Sequence, residues 1–405
     1  MDMKSEAEIL VLDDDPFMLK LLRLMLGDLG FKRVTVCASG SAALESIDGR
    51  DCAPALILFD LNMPGIDGAE FVRHLVGRRY AGGLILVSGE NERMLQAVES
   101  LARAHRMAVL GRLRKPVPRA ALAALLDQWA PYALRKRSAT KSVYGFDEVR
   151  AAIANGELVN HYQPKVEVSS GRWKGVEALV RWQHPVDGMV FPDQFIGVAE
   201  DHGLIDALTV VVLRSALAQA KRWRDAGLAL TVSINVSMDN LASLDFPDVM
   251  AAQVLAAGVT PRDVILEVTE SRLLKDLRTP LEVLARLRLK RFGLSIDDFG
   301  TGHSSLAQLR DFPFDELKVD RGFVHGAFEN KTLRAIYDAS LSLARQLGMD
   351  VVAEGVEDWN DWNFLRETGC GMAQGYFIAK PMPAEALAAW AQDWEDRVEE
   401  FATLD

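Results

Sequence analysis

The chain has 405 residues, 49% of them hydrophobic and 25% charged, which suits two or three globular domains with sizeable cores. A formal net charge of −11 argues against direct binding of nucleic acid or of an anionic membrane surface. The cysteines Cys37, Cys52 and Cys370 are too far apart for a disulfide framework or a metal-type spacing, and the polar start Met1-Asp2-Met3-Lys4-Ser5-Glu6 does not read as a signal peptide, so a cytoplasmic setting is expected.

From one end to the other, short apolar runs alternate with segments of helical period, the pattern of an α/β protein with parallel strands. Strands are predicted at residues 9–12, 34–37, 56–59, 84–87 and 107–110. Residues 6–127 therefore fit a flavodoxin-like, doubly wound sheet, whose ligands collect at the carboxyl ends of the strands. A helical stretch over 119–129 leads into the basic Arg135-Lys136-Arg137-Ser138-Ala139-Thr140-Lys141-Ser142, and a linker is assigned to residues 128–142. The remainder, residues 143–397, has the length of a TIM-type barrel of eight strands and eight helices.

In the first unit, Asp13, Asp14 and Asp15 follow a predicted strand directly. Asp60 ends another and enters the turn Leu61-Asn62-Met63-Pro64-Gly65, Ser88 ends a third, and Lys115 lies just past a fourth. Clustered carboxylates need a hard cation to offset their repulsion, and oxygen-only ligands favour Mg²⁺. Asp60 and its turn taken alone read equally well as a strand exit. The set as a whole resembles the response-regulator receiver family. That resemblance implies Asp60 as phosphoacceptor, Asp13 and Asp14 with the Asn62 carbonyl for Mg²⁺, Ser88 as the switch hydroxyl and Lys115 as its cationic partner. It also implies a cognate histidine kinase or phosphotransfer protein. The family usually has an aromatic residue where Arg112 stands, which leaves the route of output open.

In the second unit, polar groups stand at or beside one apolar run after another: Glu177, Asn235, Glu267, Asp297 with Asp298, Lys318 with Asp320, Glu354, and Gln374 ahead of the run 375–378. Residues at the carboxyl ends of barrel strands converge on one mouth. Four or more carboxylates there require a counter-charge, and a donor set without cysteine or paired histidine selects Mg²⁺ or Mn²⁺ over Zn²⁺. His161, His184 and His202 read as structural or surface groups.

The segments Tyr162-Gln163-Pro164, Glu177-Ala178-Leu179-Val180-Arg181-Trp182, Leu266-Glu267-Val268-Thr269-Glu270, Ile296-Asp297-Asp298-Phe299-Gly300, Leu317-Lys318-Val319-Asp320 and Ala353-Glu354-Gly355-Val356-Glu357 resemble the EAL domain family over roughly residues 145–390. A receiver followed directly by such a domain resembles the RocR-type regulators. The resemblance implies a phosphodiesterase that opens cyclic di-GMP to the linear dinucleotide with two divalent ions per site. Glu177, Asn235, Glu267 and Asp297 would hold the first ion, and Asp297, Asp298 and Asp320 the second. Lys318 would stabilise the attacking or developing anion, and Glu354 would act as general base or orient the water. Gln163, Leu179, Arg181 and Gln374 would contact substrate. Glu270 would anchor the glycine-containing loop after Asp298, where His303 replaces the usual tyrosine, and a dimer or tetramer is expected.

Overall fold

The computed structural model describes residues 7–49, 53–78, 80–89, 92–105, 107–138, 144–269, 278–299, 309 and 312–403. The chain divides into two compact units, Met1–Ser142 and Val143–Asp405.

The first unit is a parallel sheet of β1 (Glu8–Leu12), β2 (Arg33–Cys37), β3 (Leu56–Asp60), β4 (Gly83–Ser88) and β5 (Ala108–Arg114), in the order β2-β1-β3-β4-β5. Its central strands are covered on both faces, which is why Leu56, Ile57, Leu58 and Phe59 form an unbroken apolar run. Alternate residues serve opposite cores. Ile57, Phe59, Leu84 and Leu86 pack with Phe71 and Leu75 on one side. Leu56, Leu58, Ile85 and Val87 pack with Leu22, Leu26, Leu122 and Leu126 on the other. The helix Pro16–Asp28 starts directly after the acidic triplet because Asp15 caps it, accepting from Phe17 N at 2.8 Å, with proline in the first turn. The last helix of the unit, Arg119–Ser138, runs through most of the stretch assigned to a linker at 128–142. Alanine, leucine, lysine and arginine favour helix there despite Pro131.

The second unit is a closed eight-stranded barrel. Its strands are β6 (Leu158–Glu167) and β7 (Trp173–His184), then β9 (Thr231–Val236), β10 (Val264–Thr269), β11 (Gly293–Phe299), β12 (Glu316–Val319), β13 (Asp350–Ala353) and β14 (Met372–Ala373). The short β8 (Gly188–Val190) pairs only with β7, outside the ring. The barrel departs from the uniform TIM pattern in one strand: β6 runs antiparallel to both β7 and β14 and closes the ring between them. The link from β6 to β7 spans only residues 168–172, enough for a hairpin but too short for a parallel crossover.

The strands alternate with period two. Val232, Ile234, Leu266, Val268, Leu294, Ile296, Leu317 and Val319 join the core shared with the surrounding helices. The intervening Ser233, Glu267, Ser295, Asp297, Glu316 and Lys318 are buried polar residues. A barrel of this type usually fills its interior with branched aliphatic side chains. Here polar groups that bond one another across it take much of that place.

Candidate active site

Lys318 is the centre of the barrel site. It lies on β12, is 1% exposed, and its Nζ is 2.8 Å from Glu267 Oε2, 3.0 Å from Asp297 Oδ1, 2.7 Å from Glu354 Oε1 and 3.5 Å from Glu177 Oε2. These acids come from β7, β10, β11 and the end of β13, so the barrel brings together residues nearly two hundred positions apart. Parallel register sets the level: Asn235 pairs with Glu267, and Thr269 with Asp297. Asn235 Nδ2 donates to Glu177 Oε1 at 2.7 Å. Gln374 Nε2 donates to Glu177 Oε2 at 2.7 Å and to Gln163 Oε1 at 2.9 Å.

Burial works against each of these charges. It opposes the Lys318 ammonium, but the four carboxylates outweigh it and raise its pKa well above the ordinary lysine range. Burial likewise opposes the Glu267 carboxylate, yet Lys318 and Lys165 hold that group down at about 2. Glu177 is raised by burial, which the pull of Lys318 only partly offsets. Glu354 is pushed up to about 8 for the same reason. Asp298 is pushed up to about 6 by burial and then by Asp297 and Asp320, and its backbone holds a φ of 55°. A non-glycine residue in that region carries local strain, which often accompanies a functional site. The site thus concentrates more negative charge than its lysine neutralises.

A second group overlaps the first: Asp297, Asp298 and Glu354 each offer a carboxylate oxygen within 4.8 Å of the others. Asp320 accepts from Gly322 N at 2.8 Å and so also starts the short helix Arg321–Val324. Above the acids lies a cleft of about 280 Å³ lined by Gln163, Leu179, Gln374, Arg321, Glu357 and Tyr376, among others. Arg321, Glu357 and the half-exposed Tyr376 are lining residues that the sequence reading had not assigned to the site. Glu357 stands inside a quoted motif, three residues past Glu354, and Arg321 is the residue directly after Asp320; that proximity is their only signal in the sequence. Arg181 does not line the cleft. Its guanidinium lies 5.1 Å from the Phe191 ring and donates to Val180 O. Gln374 follows the strand β14, and the run 375–378 after it is a turn closed by Ile378 N to Gly375 O. Glu270 and His303 lie outside the described residues.

In the first unit, Asp13 and Asp60 are buried at the ends of neighbouring strands. Lys115 Nζ bridges them, 2.7 Å from Asp13 Oδ2 and 2.6 Å from Asp60 Oδ2. Asp13, Asp14 and Asp60 can offer oxygens within 4.8 Å of one another. Burial raises the Asp13 pKa beyond what Lys115 restores. Asn62 N donates to Asp60 Oδ1 at 3.2 Å, and Ser88 is fully buried at the end of β4. Arg112 pairs with Glu99 at 3.0 Å.

Comparison with known proteins agrees with both halves. The EAL domain model matches residues 147–381, and the response regulator receiver domain model matches residues 9–127. The cyclic di-GMP phosphodiesterase RocR of Pseudomonas aeruginosa is 32% identical over 394 residues, covering 94% of this chain and 97% of the relative. An uncharacterized signaling protein of Caulobacter vibrioides is 42% identical over 243 residues, and the match spans only 30% of that protein's length. The solved structure of the PaMucR phosphodiesterase in complex with c-di-GMP superposes with a TM-score of 0.57 at 41% identity, covering 60% of this chain and 98% of that one. The chain belongs to the EAL domain family, with a response regulator receiver domain preceding the EAL domain in the same polypeptide.

Proposed function

We propose that this chain hydrolyses one phosphodiester of cyclic di-GMP to give the linear dinucleotide, using divalent metal, and that phosphorylation of Asp60 controls the rate. The observation that carries this reading is the convergence of Glu177, Glu267, Asp297 and Glu354 on one buried lysine beneath an open cleft. The relatives named as cyclic di-GMP phosphodiesterases supply the substrate.

The donor set suits Mg²⁺ or Mn²⁺. It is all oxygen, it is over-supplied with negative charge, and Gln374 Oε1 is buried with no partner among the described residues. Glu177, Asn235, Glu267 and Asp297 would hold one ion, and Asp297, Asp298 and Asp320 the other. Such ions supply charge stabilisation at phosphoryl oxygen and acidify water. The chain's own groups do the rest. Glu354 takes a proton from the water that adds to phosphorus, and Lys318 offsets charge on the phosphoryl group. The bond to the leaving ribose oxygen breaks, and that oxygen gains a proton. In this reading Gln163, Leu179 and Gln374 form the substrate surface of the cleft, and Arg181, outside its lining but near enough to Glu177 and Tyr376 to feel their charge, joins it when substrate binds.

In the receiver, an Asp60 oxygen attacks the donor's phosphorus, the bond from phosphorus to the donor's histidine nitrogen breaks and that imidazole leaves, Lys115 and Ser88 receive the phosphoryl oxygens, and Asp13 and Asp14 with the Asn62 carbonyl suit Mg²⁺. A cytoplasmic histidine kinase or phosphotransfer protein as donor, and assembly into an oligomer, complete the proposal. Among the described residues no helix is long and apolar enough to cross a membrane. Incubating the purified protein with cyclic di-GMP and Mg²⁺ or Mn²⁺ should yield the opened dinucleotide, and a Glu177→Ala variant should yield far less. Tight binding with no product under either metal would turn the reading to a cyclic di-GMP effector instead.

A further inference from the structure

Glu267 is held between two buried lysines. Its Oε2 faces Lys318 at 2.8 Å, while its Oε1 faces Lys165 at 3.3 Å. Lys165 lies on β6, is 1% exposed, and reaches two further groups: Ser233 Oγ at 2.5 Å and Glu316 Oε1 at 3.4 Å. Ser233 and Glu316 stand two residues before Asn235 and Lys318 on parallel strands, so they belong to the next layer down from the mouth. Glu316, Lys165, Glu267 and Lys318 make a line of alternating charge through that interior.

The two lysines are placed for different tasks. Lys318 sits among four carboxylates at the floor of the cleft, where an incoming cation competes with it for Glu267 Oε2. Lys165 engages the other oxygen and is itself held by Ser233 and Glu316. We propose that Lys165 is a positioning residue for the phosphodiesterase site, fixing Glu267 Oε1 from beneath so that Oε2 is presented to the divalent metal. The proposal rests on the metal-dependent reading above. Outer partners that orient a metal ligand commonly act this way.

A purely electrostatic role for Lys165 predicts the opposite outcome from a positioning role. Removing a positive charge beside the site should by itself tighten metal binding. A Lys165→Met, Glu316→Gln double variant removes one charge of each sign, so the net charge is kept and a change in affinity reports geometry. Ser233→Ala loosens the lysine without altering charge, and is the milder variant should the first fail to fold.

The experiment compares both with the wild-type barrel, all three chains carrying Asp13→Asn and Asp14→Asn so that the receiver takes up no divalent ion, by the electron paramagnetic resonance signal of free Mn²⁺ and by turnover of cyclic di-GMP against Mn²⁺ concentration. The double variant is expected to bind Mn²⁺ about tenfold more weakly, with half-maximal turnover shifted in parallel and kcat at saturating Mn²⁺ nearly unchanged. Ser233→Ala should lose roughly threefold, the worth of one hydrogen bond. Wild-type Mn²⁺ affinity in the folded variants, or a fall in saturated kcat with affinity intact, overturns the positioning role. A wild type that takes up no Mn²⁺ overturns the metal-dependent reading itself, and this role with it.

Discussion

The four carboxylates around Lys318 lose hydration when the barrel closes, and one ammonium stands at their centre. Breaking a buried ion pair from one side is costlier than never having built it, because the remaining charges stay buried and repel. Lys318→Met is therefore expected to destabilise the metal-free barrel by roughly 3–5 kcal/mol. Mn²⁺ should return more stability to the variant than to wild type, because the ion then supplies the missing charge. Urea unfolding in chelator and in Mn²⁺ measures both quantities, and equal gains in the two proteins would show that the acids do not share a metal. Glu354→Gln keeps the side chain's shape but removes the proton acceptor. It should lower kcat by about 10²–10⁴ while leaving cyclic di-GMP affinity within a few-fold, as measured by turnover and by titration under a metal that does not support hydrolysis.

At the scale of elements, the segment after β13 carries Glu354, and a side chain outside the lining of the cleft holds it. Asp361, fully buried at the start of the helix Trp359–Thr368, accepts from Glu357 N at 3.0 Å, Gly326 N at 3.0 Å and pairs with His325 Nδ1 at 2.8 Å. It thereby ties the segment after β13 to the residues that follow Asp320. Burial would lower the His325 pKa, but the bond to Asp361 and the charges of Asp361, Glu357 and Asp358 raise it above the usual value. The sign follows from that direction. The added stability is complete below the unfolded histidine pKa of about 6.5 and is lost as pH rises through the higher folded value. His325→Gln should therefore cost more stability at acidic than at alkaline pH. The His325 side chain is 42% exposed, so the difference should stay within about 1 kcal/mol. Thermal melts across that range test it, and a pH-independent difference would remove the ionic part of the clamp.

Sequence could not have found this pair, because 36 residues separate its members and no periodicity links them. The strands were readable for the opposite reason. Apolar residues alternate with Ser233, Glu267, Ser295 and Lys318, or run unbroken in the receiver, and both patterns follow from which faces are covered. The direction of β6 was written only in the short link 168–172 to β7, since a strand's apolar pattern is the same whichever way it runs. Arg181 shows the corresponding limit for a site residue. Its motif placed it in the barrel, but its guanidinium turns to Phe191, a partner set by the packing of the β7–β8 hairpin.

For the whole molecule, the proposed control of turnover by the receiver would depend on what a phosphoryl group at Asp60 does to Lys115. Burial opposes that ammonium, but Asp13 and Asp60 together outweigh it and raise its pKa, so Lys115 is committed to two anions at once. Phosphorylation there would replace the Asp60 carboxylate with a group bearing about −1.5 to −2 charges and additional acceptor oxygens. Lys115, directly after β5, would then redistribute between Asp13 and the phosphoryl group. Further back on β5, Arg112 binds Glu99 of the helix Glu92–Ala104, and Glu99 also holds Arg103 at 2.8 Å. A shift of β5 therefore bears on a polar contact with that helix. If the two units are coupled, a small phosphodonor with Mg²⁺ should change cyclic di-GMP turnover in wild type by about fivefold or more, a usual size for allosteric coupling. It should do nothing in Asp60→Asn. An Arg112→Gln variant should still accept phosphate at Asp60 but pass on less of the change. Equal rates in wild type and Asp60→Asn, with and without donor, would uncouple the receiver from the barrel while leaving the barrel's chemistry untouched.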